Sequence, residues 1–322
     1  MIAIDIMGGD FAPRVVLEGA VQAAREGCEV CLFGPENDAI TWLNEHVSDW
    51  KQLPISFVQA AEVIGMADEP VSAVRKKQDS SLVKAIANLA QDKVDAVVSA
   101  GNSGALMVAS VFILGRQDGV ERPAIAGLFP ATDGSFVVGL DLGANTDCKP
   151  HHLVQFAQLG VDYAKRMLNK ENPRLALLAN GEEDVKGSLL TKEVFQLLKQ
   201  ASFNFIGNRE PHDVLSGSID VFVCDGFTGN IFLKTYETIF SQKIKRFKRL
   251  LTEEATKEPA FAPILNRLMQ QLDASNIVKE MGGALLVGVK KPVFVCHGAA
   301  QADDIENAIK TAKKYAESAK NK

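Results

Sequence analysis

No uncharged apolar stretch of this 322-residue sequence reaches the roughly 20 residues that a spanning helix needs, and even Val94 to Met107 falls short. The opening, Met1-Ile2-Ala3-Ile4-Asp5, has neither the basic start nor the cleavage site of a secretory signal, so none is expected. Cysteine is scarce and odd in number: Cys28, Cys31, Cys148, Cys224 and Cys296 are scattered, which excludes a disulfide framework and predicts a reduced, cytoplasmic setting. Cys28 and Cys31 have half of a zinc or redox spacing, but no second pair exists and they open an apolar strand. Positive charge is not in excess either, since 35 basic against 40 acidic residues leave −5, which argues against nucleic acid as the partner. There is no G-x-G-x-x-G dinucleotide fingerprint and no G-x-S-x-G nucleophile elbow. Linkers of low complexity and internal repeats are missing as well, so residues 1–322 read as one continuous unit.

What is present is an ordinary globular composition, 47% hydrophobic and 23% charged. Short β-rich runs alternate with segments of helical period: Ile2–Ile6, Glu29–Gly34, Ile55–Gln59, Asp95–Ala100, Ala124–Phe129, Phe136–Asp141, Leu175–Asn180, Asn204–Gly207, Asp220–Cys224 and Val293–Cys296. Several runs are apolar at consecutive positions, as strands covered on both faces must be. The rhythm predicts a three-layer, Rossmann-like α/β/α fold with a mostly parallel sheet. It stops between Thr235 and Met281, where two amphipathic segments flank Glu258-Pro259 and predict a helical hairpin at about 236–282. In the first arm Phe240, Ile244, Phe247 and Leu251 share a face, with Lys243, Lys245, Arg246, Lys248 and Arg249 around them. In the second, Phe261, Ile264, Leu265, Leu268, Met269 and Leu272 keep helical spacing. Two readings stand: helices packed on each other or across a subunit interface, and an apolar, basic-flanked tip that touches an anionic membrane.

The densest motifs sit where strands end, which is where open α/β sheets bind ligands. Asp5-Ile6-Met7-Gly8-Gly9-Asp10 runs from a strand into paired glycines, which suit close approach to a ligand or tight packing alone. Asn102-Ser103-Gly104 lies between an apolar strand and an apolar helix. Such a helix start offers free amides to an anion such as phosphate, and the same residues suit a plain cap. In Gly181 to Gly187 three acids precede Lys186, which either pairs with them or holds a phosphate as a point charge. Asp225-Gly226-Phe227-Thr228-Gly229-Asn230 is the most site-like stretch. Asp225 suits proton handling or helix capping, and Thr228 and Asn230 offer donors to a carbonyl or phosphate oxygen. His297 after the last strand is a candidate general acid or a structural histidine. His151 and His152 are adjacent on a helix and are not expected to face one ligand, and no metal is expected.

Taken in order, Ile2 to Asp10, Arg75 to Ser81, Ser99 to Met107, Glu121 to Ala124, Leu140 to Asn145, Gly181 to Gly187 and Cys224 to Lys234 resemble the PlsX family of phosphate acyltransferases of bacterial phospholipid synthesis. The resemblance runs from residue 2 to about 310. It implies transfer of a long-chain acyl group from an acyl carrier protein thioester to inorganic phosphate, without a cofactor, on a fold similar to phosphotransacetylases and isocitrate dehydrogenase-like enzymes. It also implies a homodimer held peripherally at the inner face of the cell membrane, and a downstream glycerol-3-phosphate acyltransferase that takes the product. Two departures stand out: Ala299 and Ala300 follow His297-Gly298 where a hydroxyl is expected, and Pro211 stands where a glycine is expected.

That chemistry suits the residues, because phosphate is already an oxygen nucleophile and a thiol leaves readily, so no activated Ser–His pair is needed. The protein must hold two anionic partners together and steady a tetrahedral oxyanion. The expected assignment gives phosphate to Asn102, Ser103, Gly104 and Lys186, with Gly8, Gly9, Asp10 and Thr228 lining the site. Oxyanion contacts fall to Asn145 and Asn230, and proton handling to Asp225 and His297. Basic Arg75-Lys76-Lys77 or Lys243 to Arg249 would receive the acidic carrier. The rivals are a phosphotransacetylase-like enzyme using acyl-CoA, a nicotinamide dehydrogenase, and a scaffold that recruits lipid-synthesis partners without catalysis.

Overall fold

The computed structural model describes residues 1–257, 262–274 and 283–320. In chain order the strands are β1 (Ile2–Asp5), β2 (Val30–Gly34), β3 (Ile55–Gln59), β4 (Ala96–Ser99), β5 (Ala124–Pro130) and β6 (Phe136–Leu140). They continue as β7 (Leu175–Leu178), β8 (Phe205–Arg209), β9 (Val221–Val223), β10 (Ala284–Val287) and β11 (Val293–Val295). All join one sheet in the order β3-β2-β1-β4-β11-β10-β5-β6-β9-β7-β8. β1, β4 and β7 are buried at every position, which is why their sequences are apolar without alternation.

The sheet is two parallel blocks of opposite direction. β3, β2, β1, β4 and β11 run parallel, as do β6, β9, β7 and β8. Between them β10 pairs antiparallel with both β11 and β5, and β5 pairs antiparallel with β6. β10 is not among the predicted runs; only four residues long, it carries too little pattern to stand out. The β5–β6 link spans only residues 131–135, too short for a parallel crossover, so a hairpin forms.

Helices cover both faces. On one side the helix Arg14–Arg25 buries Val16, Leu17, Ala20 and Ala24 and packs against the C-terminal helix Ala302–Lys320, while Pro150–Met167 covers the second block. On the other face Ser81–Ala90 and Ser103–Ala109 bury Leu82, Ile86, Leu106 and Ala109. A smaller core of Phe129, Phe222 and Leu178 fills the outer side of the second block.

The expected hairpin begins earlier than predicted: one helix runs unbroken from Gly226 to Lys257, and Ala262–Ala274 packs back against it. Phe240, Ile244, Leu251 and Leu265 are half-buried, whereas Ile239, Phe247, Leu250, Ile264 and Leu268 remain exposed. Glu258, Pro259 and Phe261 at the expected turn lie outside the described residues, as do the side chains of Met269 and Leu272. No described helix is long and apolar enough to cross a membrane.

Candidate active site

The strand-end loops fall into two groups. In the first block the chain leaves β1 toward β2 and β3, then returns to β4 on β1's other flank, so the loops after β1 and β4 border a crevice. Under it lies Asp5, buried, accepting hydrogen bonds from Ser81 Oγ at 2.5 Å, Ser99 Oγ at 2.7 Å and the Met7 amide. Burial pushes its carboxyl above the ordinary value, against the pull of those hydroxyls. Ser99 Oγ also accepts from the Gly101 amide, so Asp5 ties the two loops together. They meet so closely that a Cβ on Gly8 would lie 2.6 Å from the Gly101 nitrogen, which leaves room only for glycine.

The sequence candidates on this edge divide by availability. Asn102 is fully engaged: its Oδ1 caps Ala105, and its Nδ2 donates toward the carbonyls of Gly65, Met66 and Asp68. It holds the 65–68 loop, and its side chain has no donor left for phosphate. Ser103 is exposed and Gly104 half-buried at the helix start. The Asp10 amide donates to the Gly298 carbonyl at 2.7 Å, which closes the loop after Gly8 and Gly9 onto the segment after β11. Exposed His297 accepts the Ala299 amide at Nδ1, so the neutral ring carries its proton on Nε2.

The second group gathers where β6, β9, β7 and β8 end. Its hub is Asp141, fully buried just after β6. Oδ1 accepts the amides of Ile125, Gly143 and Ala144, and Oδ2 accepts both the backbone amide and the side-chain Nδ2 of Asn145, at 2.7 and 2.9 Å. Burial raises this carboxyl too, opposed by those donors. Asn145 Nδ2 also donates to the Pro123 carbonyl, so both its N–H groups are spent and it cannot supply an oxyanion contact from its side chain.

The long helix starts against this hub. The Gly226 amide donates to the Asn145 carbonyl at 2.7 Å, and a Cβ on Gly229 would fall 1.8 Å from the Asp141 carbonyl oxygen, so only glycines let the helix sit this close. Asp225 accepts both the amide and the hydroxyl of Thr228 at 2.9 Å, the geometry of an N-cap. One turn in, exposed Asn230 lies over Gly143, its Oδ1 3.4 Å from where a Cβ would stand.

Lys186 is exposed in the loop after β7, on the same edge. Of the acids before it, Asp184 pairs with Lys199 at 3.0 Å instead, and the Glu183 carbonyl accepts from buried Asn208. The unexpected Pro211 is the first residue of a short helix capped by Glu210, where a missing N–H costs nothing. His151 and His152, not expected to face one ligand, share a partner. Their Nε2 atoms do converge, lying 3.1 and 3.4 Å from Glu121 Oε2, although both residues are in the first turn of their helix. These contacts, His151 first, lower the Glu121 carboxyl. His152 accepts the Lys149 amide at Nδ1, so its Nε2 carries the hydrogen and donates to Glu121.

Thiols are held protonated: Cys148 beside Asn145 is pushed up to about 11 by burial, and burial raises Cys224 as well. Asp5 and Asp141, the two organising acids, were not among the expected site residues. Their signal was an acid closing an apolar run, in Ile4-Asp5 and Leu140-Asp141-Leu142-Gly143.

The model of the fatty acid synthesis protein family matches residues 1–322. Phosphate acyltransferases from Bacillus pumilus and Brevibacillus brevis are each 44% identical, over 98% of this chain and 94% and 93% of theirs. The chain belongs to the PlsX family of phosphate acyltransferases. A member of this acyltransferase family at such identity shares its activity class, and it is an enzyme. Phosphotransacetylases from Staphylococcus aureus and Streptococcus pyogenes share the fold, with TM-scores of 0.60 and 0.61 at 15% identity over 98% and 99% of the chain. They cover 93% and 94% of those neighbours. The expected α/β class, and its likeness to phosphotransacetylases, therefore hold for this acyltransferase.

Proposed function

We propose that the chain transfers a long-chain fatty acyl group from an acyl carrier protein thioester to inorganic phosphate, giving acyl-phosphate for phospholipid synthesis. The observation that carries this reading is that the strand-end loops offer donors and a cation but no activated protein nucleophile. Cys148 stays a thiol, with its pKa at about 11, and His297 accepts from a neighbouring amide with no serine or cysteine bonded to it among the described residues. The nucleophile is then brought in as phosphate.

Phosphate falls to Lys186, to Ser103 and to the Gly104 amide, with Gly8, Gly9 and Asp10 shaping the crevice beside Ser103 and Gly104. Asn230 Nδ2 steadies the oxyanion, in place of the occupied Asn145. Thr228 and Asp225 hold the first turn that presents Asn230, and His297 Nε2–H donates a hydrogen bond to the departing sulfur. Attack of a hydrogen-phosphate oxygen forms the C–O bond, the C–S bond breaks, and the proton that the phosphate gives up passes to the sulfur, so the carrier leaves as a free thiol.

The carrier docks on basic side chains. Lys77 is already bonded to Asp68 and the Val63 carbonyl, so the carrier falls to exposed Arg75 and Lys76 or to Lys243, Lys245 and Arg246 of the Lys243 to Arg249 cluster. The exposed Ile239, Phe247, Leu250, Ile264 and Leu268 support peripheral contact of the hairpin with the inner face of the cell membrane. A vesicle-flotation assay in which Leu268→Glu floats as well as the parent would remove that contact. The working form is a homodimer, and a glycerol-3-phosphate acyltransferase consumes the product.

The deciding experiment measures release of free thiol from palmitoyl carrier protein, with and without phosphate, beside palmitoyl-CoA and acetyl-CoA. Phosphate-dependent release from the carrier thioester is expected. Preference for a CoA thioester would favour the phosphotransacetylase-like reading, and no release from any thioester would leave the scaffold reading.

A further inference from the structure

The turn that carries Lys186 rests on a buried side chain to which no role has been given. In the ladder between β7 and β8, Leu175 pairs with Phe205 and then Leu177 with Asn208, so β8 advances three residues while β7 advances two. Within this bulge Gly207 takes a φ of +94°, which glycine adopts freely and other residues rarely. Bulges seldom occur in parallel pairs. They re-aim side chains, because residues alternate between the two faces and one extra residue reverses all that follow. In a regular ladder Gly207 would stand opposite Leu177. The bulge puts Asn208 there instead, fully buried against the loop after β7.

Asn208 Nδ2 donates to the Glu183 carbonyl at 2.9 Å, and the same carbonyl accepts the Lys186 amide at 3.0 Å. One oxygen thus closes the turn from Glu183 to Lys186 and ties it to β8. The Lys186 stem folds back over Gly181, its Cγ and Cδ 3.0 and 3.4 Å from where a Cβ on that glycine would stand. Asp184 pairs with Lys199 at 3.0 Å and does not take the Lys186 ammonium. Asn208 Oδ1 is equally buried and makes no hydrogen bond among the described residues. An apolar side chain would fill that space without an unmatched acceptor, so stability alone does not call for asparagine here. The bond it does make, to the carbonyl that closes the Lys186 turn, does.

We infer that Asn208 is a positioning residue for phosphate: buried away from the reactants, it acts through the Glu183 carbonyl to fix where Lys186 stands. This rests on the assignment of phosphate to Lys186 above. A lysine is a point charge on a flexible stem, and it holds an anion at one place only when its backbone and stem are themselves held. The Glu183 carbonyl holds the first and Gly181 the second. Loss of the Asn208 bond therefore acts on phosphate and leaves the thioester alone.

Thiol release from palmitoyl carrier protein, followed against inorganic phosphate concentration, tests it. Asn208→Leu keeps the volume and removes the donor. It is expected to raise the KM for phosphate about tenfold while the KM for the carrier thioester stays within about twofold. Added to Lys186→Ala it should cost nothing further, because both changes remove one contact. Asn208→Asp provides an independent reading if the first variant does not fold. Burial raises the new carboxyl; ionised, it turns only acceptors toward the Glu183 carbonyl, and protonated, it donates to it. Its phosphate KM relative to the parent's at the same pH should be high near about pH 8 and fall toward the parent's near about pH 5.5. A parent-like phosphate KM in both variants, a ratio flat in pH, or an Asn208→Leu loss that multiplies that of Lys186→Ala would overturn the inference. Lys186→Ala with the parent's phosphate KM would strike instead at the assignment of phosphate to Lys186, and remove the inference with it.

Discussion

Each block of the sheet ends a strand on a buried aspartate, and the two are held differently. Asp5 after β1 is bonded mainly by the hydroxyls of Ser81 and Ser99, groups that can turn and accept as readily as they donate. Asp141 after β6 faces only N–H groups, four from the backbone and one from Asn145. The first arrangement tolerates gain of a proton, whereas the second demands an acceptor at every position. The crevice of the first block is thus tied by adjustable partners, and the second edge is built around a fixed negative centre that sets the loop before the long helix.

That contrast can be broken most severely at its hub. Asp141→Ala would strand five donors in the interior and is expected to cost about 3 to 5 kcal/mol, read as a fall in the urea midpoint, while Asp5→Ala costs roughly half as much. Equal losses would erase the distinction between the two acids. Next in size, Asn230→Ala is expected to lower kcat ~100-fold with little change in melting temperature, because its side chain is exposed. An unchanged kcat would return the oxyanion role to backbone amides.

A third acid sharpens the comparison through pH. Burial works against the charge of Asp220, yet hydrogen bonds from Arg174 hold its carboxyl down to about 2. A depressed acid stabilises the fold above its unfolded value and loses that contribution as pH falls from about 4 to 2, here about 2 kcal/mol. Asp220→Asn should therefore be less stable than the parent at neutral pH and converge with it near pH 2. Asp5, raised by burial, has the opposite sign: its contribution is whole below the unfolded value and fades as pH climbs through the raised one. The smallest effect is expected at Cys148, whose thiol at about 11 should react slowly with iodoacetamide at pH 7.5 and whose replacement by Ala should leave turnover within about twofold. Rapid loss of activity on alkylation would bring a thiol back into the chemistry.

Much of this architecture was readable from residues alone. Unbroken apolar runs such as Ile2 to Ile6 and Asp95 to Ala100 announce strands covered on both faces, and glycine-framed polar loops after them mark where those strands end. Strand direction was not readable, because periodicity is the same whichever way a strand runs; the short 131–135 link was the one local sign of reversal. That is why residues on two edges were expected to form one cluster. Nor does a motif distinguish a ligand from a cap: Asn102 and Asp225 both proved to be helix caps once their partners were known. Asn145, expected to contact an oxyanion, has its side-chain amide hydrogens committed to Asp141 and Pro123.

The helix Gly226–Lys257 has 32 residues, so it is a rod of about 48 Å. Its first turn presents Asn230 and its last turns form the hairpin. Whatever surface grips the far end therefore sets the height and tilt at which the site stands off from it. Inserting one residue near Lys243 would turn everything beyond it in the hairpin by about 100° relative to Asn230.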